Sequence, residues 1–106
     1  MFPALGIELK LLDMALRQHM EKLLQTRDPP KTFCPSEVAR RLTPDELQDL
    51  GFAEWRDAMP EVRKLAWTMR DEEGSVEIVQ KGEVLADDVK LDEVSGPIRL
   101  RRTTGP

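Results

Sequence analysis

Apolar residues along the first quarter of the chain recur at intervals of three and four: Leu5, Leu9, Leu12, Ala15, Leu16, Met20, Leu23 and Leu24. That spacing matches the helical period and predicts a long amphipathic helix from Leu5 to Gln25. The helix ends over Thr26 to Pro30, because Asp28 precedes a Pro-Pro pair that cannot continue it. A brief extended piece, Lys31 to Phe33, follows. In CPSEVARRL, Cys34 or Pro35 opens a second helix that ends near Leu42. Proline suits the first helical position, and Glu37 complements the positive N-terminal end. Thr43, Pro44, Asp45 and Glu46 read as a cap and first turn of a further short segment that Gly51 closes.

The stretch AEWRDAMPEVRKLAWTMRDEEG predicts the third main helix. A proline in its interior would cost about 3 kcal/mol. The regular helix is therefore expected from near Asp57 as N-cap, with Pro60 in the first turn and Gly74 as the stop. Helical spacing groups Trp55, Met59, Val62, Ala66 and Met69 on one face, the expected core face. Arg56, Arg63, Trp67 and Arg70 fall on one flank, and Glu54, Asp57, Glu61, Asp71 and Glu72 on the other.

After Gly74 the period drops to two. Val76, Ile78 and Gln80 alternate with Glu77 and Val79, and a second strand from Pro97 to Arg102 puts Ile98 and Leu100 on one face. Helix, short strand, helix, helix, strand, loop, strand is the winged helix order. The expected fold is α+β and mainly helical: a winged helix-turn-helix of three main helices with a two- or three-stranded antiparallel wing. A single domain is expected over residues 1–106, its core at about 5–102.

Composition narrows this without redirecting it. A chain of 106 residues, 40% apolar and 34% charged, suits one soluble globular unit. Cys34 is the single cysteine, so no intramolecular disulfide can form. The N-terminus lacks the basic start, apolar run and cleavage site of a secretory signal. Apolar runs fall far short of the roughly 20 residues that span a bilayer. A cytoplasmic protein without membrane contact is the expectation. Net charge is −4, which disfavours a general polyanion binder. The distribution says more. Residues 74–96 set Lys81 and Lys90 against Glu77, Glu83, Asp87, Asp88, Asp92 and Glu93, whereas 97–106 carry Arg99, Arg101 and Arg102 with no acid.

The blocks KTFCPSEVARRL, WRDAMPEVRKLA, VEIVQKGEVL and GPIRLR, in that order, resemble a small bacterial family known only as domain of unknown function 3253. The resemblance covers roughly residues 7 to 102. It implies a winged helix-like fold and no particular activity. One departure stands out: TPDELQDLGFAEW is longer than the family's usual connection ahead of Trp55 and Arg56.

In a helix-turn-helix the later helix enters the major groove, with Arg, Lys, Asn or Gln at base edges. Arg56, Arg63 and Arg70, joined by Lys81 and Arg99, are thus the candidate contacts to DNA or another partner. The competing and preferred reading pairs Arg56 or Arg63 with Glu37 or a nearby acid and lays the arginine stems beside Trp67, since the acidic loop and helix flank would repel phosphates. Cys34 reads first as a small buried hydrophobe. With one Cys and one His, His19, neither a zinc site nor a catalytic site can be assembled. No metal, cofactor or catalytic residue is assigned. Lys81-Gly82 reads as a hairpin turn and not a phosphate loop, which would need more glycines and a following helix. The leucine face of the first helix either caps the core or pairs with a second copy as a homodimer. These readings give a domain that binds and does not catalyse: a DNA-associated transcriptional regulator, or a protein-interaction module without DNA contact.

Overall fold

The computed structural model describes residues 3–103, with side chains described from Leu11 onward. Helix α1 runs Pro3–Thr26. Leu16, Met20, Leu23 and Leu24 are buried on its inner face, with Leu12 and Ala15 at the edge. The predicted core positions Leu5 and Leu9 lie outside the residues whose side chains are described. At its end Thr26 Oγ1 donates back to the Lys22 carbonyl at 3.0 Å, and the chain turns through Asp28 and the Pro29-Pro30 pair.

Helix α2, Pro35–Arg40, and helix α3, Pro44–Leu50, follow. Each starts on proline behind an extended N-cap. For α3 the capping box is complete: Thr43 Oγ1 accepts from Glu46 N at 3.1 Å, and Glu46 Oε1 accepts from Thr43 N at 2.9 Å. Gly51 ends α3 in the left-handed region at φ 79°. Nothing in α3 is fully buried. It lies on the surface, packed through half-buried Leu47 and Leu50.

A 3-10 turn, Trp55–Ala58, leads into helix α4, Met59–Thr68, and a π turn, Met69–Glu73, continues it to Gly74, left-handed at φ 65°. The α-helix thus begins one residue later than an Asp57 N-cap implies, with Ala58 as its N-cap. Asp57 faces backward, its Oδ2 accepting from Ala53 N and Glu54 N, both at 3.1 Å. Val62, Ala66 and Met69 are buried as their shared face predicts, but Trp55 and Met59 are only partly so. Leu65, Trp67 and Arg70 are buried as well. The buried arc therefore extends onto the flank that carries Trp67 and Arg70, because a second layer covers that side.

Strands β1, Val76–Gln80, β2, Glu83–Val84, and β3, Arg99–Arg102, form an antiparallel sheet of order β2-β1-β3. The β1–β2 hairpin turns on Lys81 at φ 54° and Gly82 at φ 82°. Positive φ at both central residues is the two-residue turn that follows strand twist. β3 pairs Ile78 with Leu100 and starts at Arg99, two residues beyond the expected Pro97, which has no N–H to give the ladder. On the other side of β3, Phe33 and Leu100 exchange backbone hydrogen bonds at 2.9 and 2.7 Å, so the predicted extended piece is a one-residue bridge. Phe33, Ile78 and Leu100, all fully buried, meet Met20, Val38 and Val62 in one core. The fold is α+β, four helices and a three-stranded antiparallel sheet in a winged helix-like arrangement. No helix among the described residues is long and apolar enough to cross a membrane.

Candidate interaction surface around the fourth helix

The covering layer on α4 is the loop between β2 and β3. Leu85 N donates to the Ile78 carbonyl at 2.7 Å, after which the chain leaves the sheet. The Trp67 indole N–H donates to the Val89 carbonyl at 3.0 Å. Arg70, only 8% exposed, uses its whole guanidinium: Nε to Asp71 at 2.7 Å, and the terminal nitrogens to the carbonyls of Ala86 (3.3 Å), Asp87 (3.0 Å) and Val89 (2.8 Å). A planar fork with several donors can serve diverging carbonyls at once. Arg63 donates to the Gly96 carbonyl at 3.4 Å. Gln80 Nε2 holds the Ser95 carbonyl at 2.9 Å. Half-buried Leu91 and Val94 pack on the core. The loop is thereby fastened along α4, while Asp87, Asp88, Asp92 and Glu93 remain exposed on its outer side.

The five candidate contact residues have separate settings. Arg70 is internal and Arg63 rests on a loop carbonyl. Arg56 is exposed, pairs with Glu54 at 3.2 Å and lies over the Trp55 ring. Lys81 is at the hairpin tip. Arg99 crosses to the Phe33 segment, its Nε donating to Thr32 Oγ1 at 2.6 Å and a terminal nitrogen to Cys34 Sγ at 2.9 Å. The proposed acid partner Glu37 is taken instead by Arg27, at 2.8 Å.

Cys34 is half-buried, more open than the small buried hydrophobe expected, with the Arg99 guanidinium on its sulfur. His19 Nε2 lies 2.9 Å from Glu46 Oε1, tying α1 to α3. Burial alone would raise the Glu46 carboxyl. The Thr43 amide and His19 outweigh it and hold the group below its ordinary range. Glu37 behaves alike: burial opposes its charge, and the Cys34 amide and Arg27 prevail.

Two surface features carry no signal in the spacing of the sequence. Arg40, at the end of α2, and Arg56 each hold their guanidinium carbon 4.6 Å from the centroid of the Trp55 ring. Arg40 is fifteen residues from Trp55, so only the tertiary approach of α2 to the 3-10 turn unites them. The other is an open groove between α1 and α3, lined by Leu11, Met14, Ala15, Gln18 and Leu50. Leu11 and Met14 are 47% and 62% exposed there.

Helix order, sheet register and the loop laid along the last helix are consistent with a winged helix-like arrangement. Within that class the chain belongs to the family described as Protein of unknown function (DUF3253), whose model matches residues 13–103. The four sequence blocks pointed to the same family. No curated protein matches the sequence.

Proposed function

We propose that the domain works by binding a protein partner, and that it neither reads duplex DNA through α4 nor catalyses a reaction. The observation that carries this reading is the burial of Arg70 beneath an acidic loop. An arginine with its donors committed to loop carbonyls is not free for phosphate or base edges. The loop that holds it also places Asp87, Asp88, Asp92 and Glu93 beside α4, where duplex phosphates would meet like charge. Binding over catalysis is supported by the separate partners of the two most reactive side chains, Glu46 for His19 and Arg99 for Cys34. The exposed Leu11 and Met14 strip is of the kind that interfaces bury, and a second copy packed along α1 as a homodimer is within the same reading.

A DNA-associated regulator is the rival, favoured by exposed Arg40, Arg41 and Arg56 near the start of α4. Titrating random-sequence duplex by fluorescence anisotropy, at two salt concentrations, separates the two. The expected result is no binding tighter than about 10⁻⁵ M at physiological salt. Sub-micromolar affinity with a steep salt dependence, lost in Arg63→Ala at unchanged melting temperature, would return the domain to the DNA binders.

A further inference from the structure

Trp55 is half-buried in the 3-10 turn ahead of α4, and the two arginines at its ring, Arg40 and Arg56, are exposed. Their guanidinium carbons each lie 4.6 Å from the ring centroid and so are at most twice that distance apart. Stacking on an indole restrains two side chains that would otherwise sweep through many rotamers. Arg41, the exposed C-cap of α2, adjoins Arg40. Five other arginines are paired with acids: Arg17 with Asp13 and Glu73, Arg27 with Glu37, Arg70 with Asp71, Arg101 with Glu77 and Arg102 with Asp28. Among the described residues no carboxylate lies within ion-pair distance of Arg40 or Arg41, and Arg56 has only Glu54. The carbonyl end of α2 stabilises a nearby cation, which accounts for one arginine there. It does not account for two, nor for a tryptophan that holds one of them beside a third.

We infer that Arg40, Arg41, Trp55 and Arg56 form a docking surface for an acidic peptide segment of a partner protein. This rests on the protein-binding reading and names the surface for it. An extended peptide shows alternate side chains on one face about 6.6 Å apart, a spacing that two guanidiniums held by one ring can meet. Each guanidinium fork takes a carboxylate through two parallel hydrogen bonds. A duplex fits less well. It would continue past the patch toward further acids such as Asp45, beyond Arg41 in sequence, whereas Glu54, paired with Arg56 at 3.2 Å, opposes either ligand alike. A short peptide engages only charges within a screening length of about 8 Å.

The test is anisotropy of a short fluorescein-labelled peptide of alternating aspartate and serine, titrated with the full chain. Arg40→Glu, Arg41→Glu and Arg56→Glu are compared with Lys81→Glu, the same charge change at the hairpin tip, after melts confirm that each is folded. Arg41 sits outside the Trp55 stack and is the reversal least able to disturb the fold. Salt-sensitive wild-type binding at about 10–100 μM is expected, weakened roughly tenfold or more by each patch reversal and about twofold or less by Lys81→Glu. Equal losses from Lys81→Glu and the patch reversals would overturn the surface. So would the absence of peptide binding, which leaves the protein-binding reading standing if duplex also fails to bind. Tighter binding of a duplex with the same Arg40 and Arg41 dependence would overturn both.

Discussion

Arg70→Met removes the guanidinium while keeping most of the stem, and tests whether the loop is fastened to α4 as described. Three loop carbonyls lose their donor. Breaking a hydrogen bond from a charged donor costs about 1.5–3 kcal/mol where the acceptor stays dry. Ala86 and Asp87 are exposed, so water replaces much of what their carbonyls lose, and Val89 keeps the Trp67 indole. The Asp71 carboxylate is 49% exposed and adds little. Removing a buried charge also relieves its desolvation. The net expectation is a loss of about 2–3 kcal/mol in urea unfolding, with faster amide exchange confined to residues 86–96. Arg70→Lys should recover less than half, since one ammonium cannot span three diverging carbonyls. Unchanged stability within about 0.5 kcal/mol and unchanged loop exchange in the methionine variant would refute the argument, and would release Arg70 for a partner.

Val62→Asp puts a carboxylate where the side chain is fully buried and should cost about 4 kcal/mol or more; an unaltered thermal melt would mean that α4 presents another face to the core. Lys81→Asn should raise urea stability by about 0.5–1 kcal/mol, because asparagine tolerates the positive φ that lysine now occupies, and a loss would contradict that turn geometry. The depressed Glu46 carboxyl stabilises the fold above the ordinary glutamate value of 4.5, and that contribution is lost as pH falls through the lower folded value; melts taken across that acid range should fall less steeply for Glu46→Gln than for the wild type.

The helices were legible because their punctuation is chemical. Pro35, Pro44, Gly51 and Gly74 all stand where a first turn or a left-handed stop requires them, and the Lys81-Gly82 turn was readable on the same grounds. The cover on the flank of α4 was not legible because periodicity reports one apolar stripe and is blind to a second layer. Nothing local in EVLADDVKLDEVSG says that its carbonyls will meet Trp67 and Arg70. An arginine beside a tryptophan on a helix looks the same in sequence whether it faces water or holds a loop. The Arg40–Trp55–Arg56 stack was invisible for a related reason: the segment containing α3 separates Arg40 from Trp55 and Arg56 in the chain. Arg99 was picked for its charge, yet its position opposite Thr32 and Cys34 depends on the Phe33–Leu100 bridge.

That bridge governs when the fold can close. Leu100 is hydrogen-bonded to Phe33 on one edge of its strand and faces Ile78 in the ladder on the other, so the last strand is held between partners from the two halves of the chain. During synthesis the helices can form as they emerge, but Phe33 and β1 lack their shared neighbour until residue 100 has left the ribosome. A chain stopped just after the wing loop would present two unfilled strand edges and an open core, the state from which aggregation starts. Residues 99–102 thus join β1 and the Phe33 segment at once.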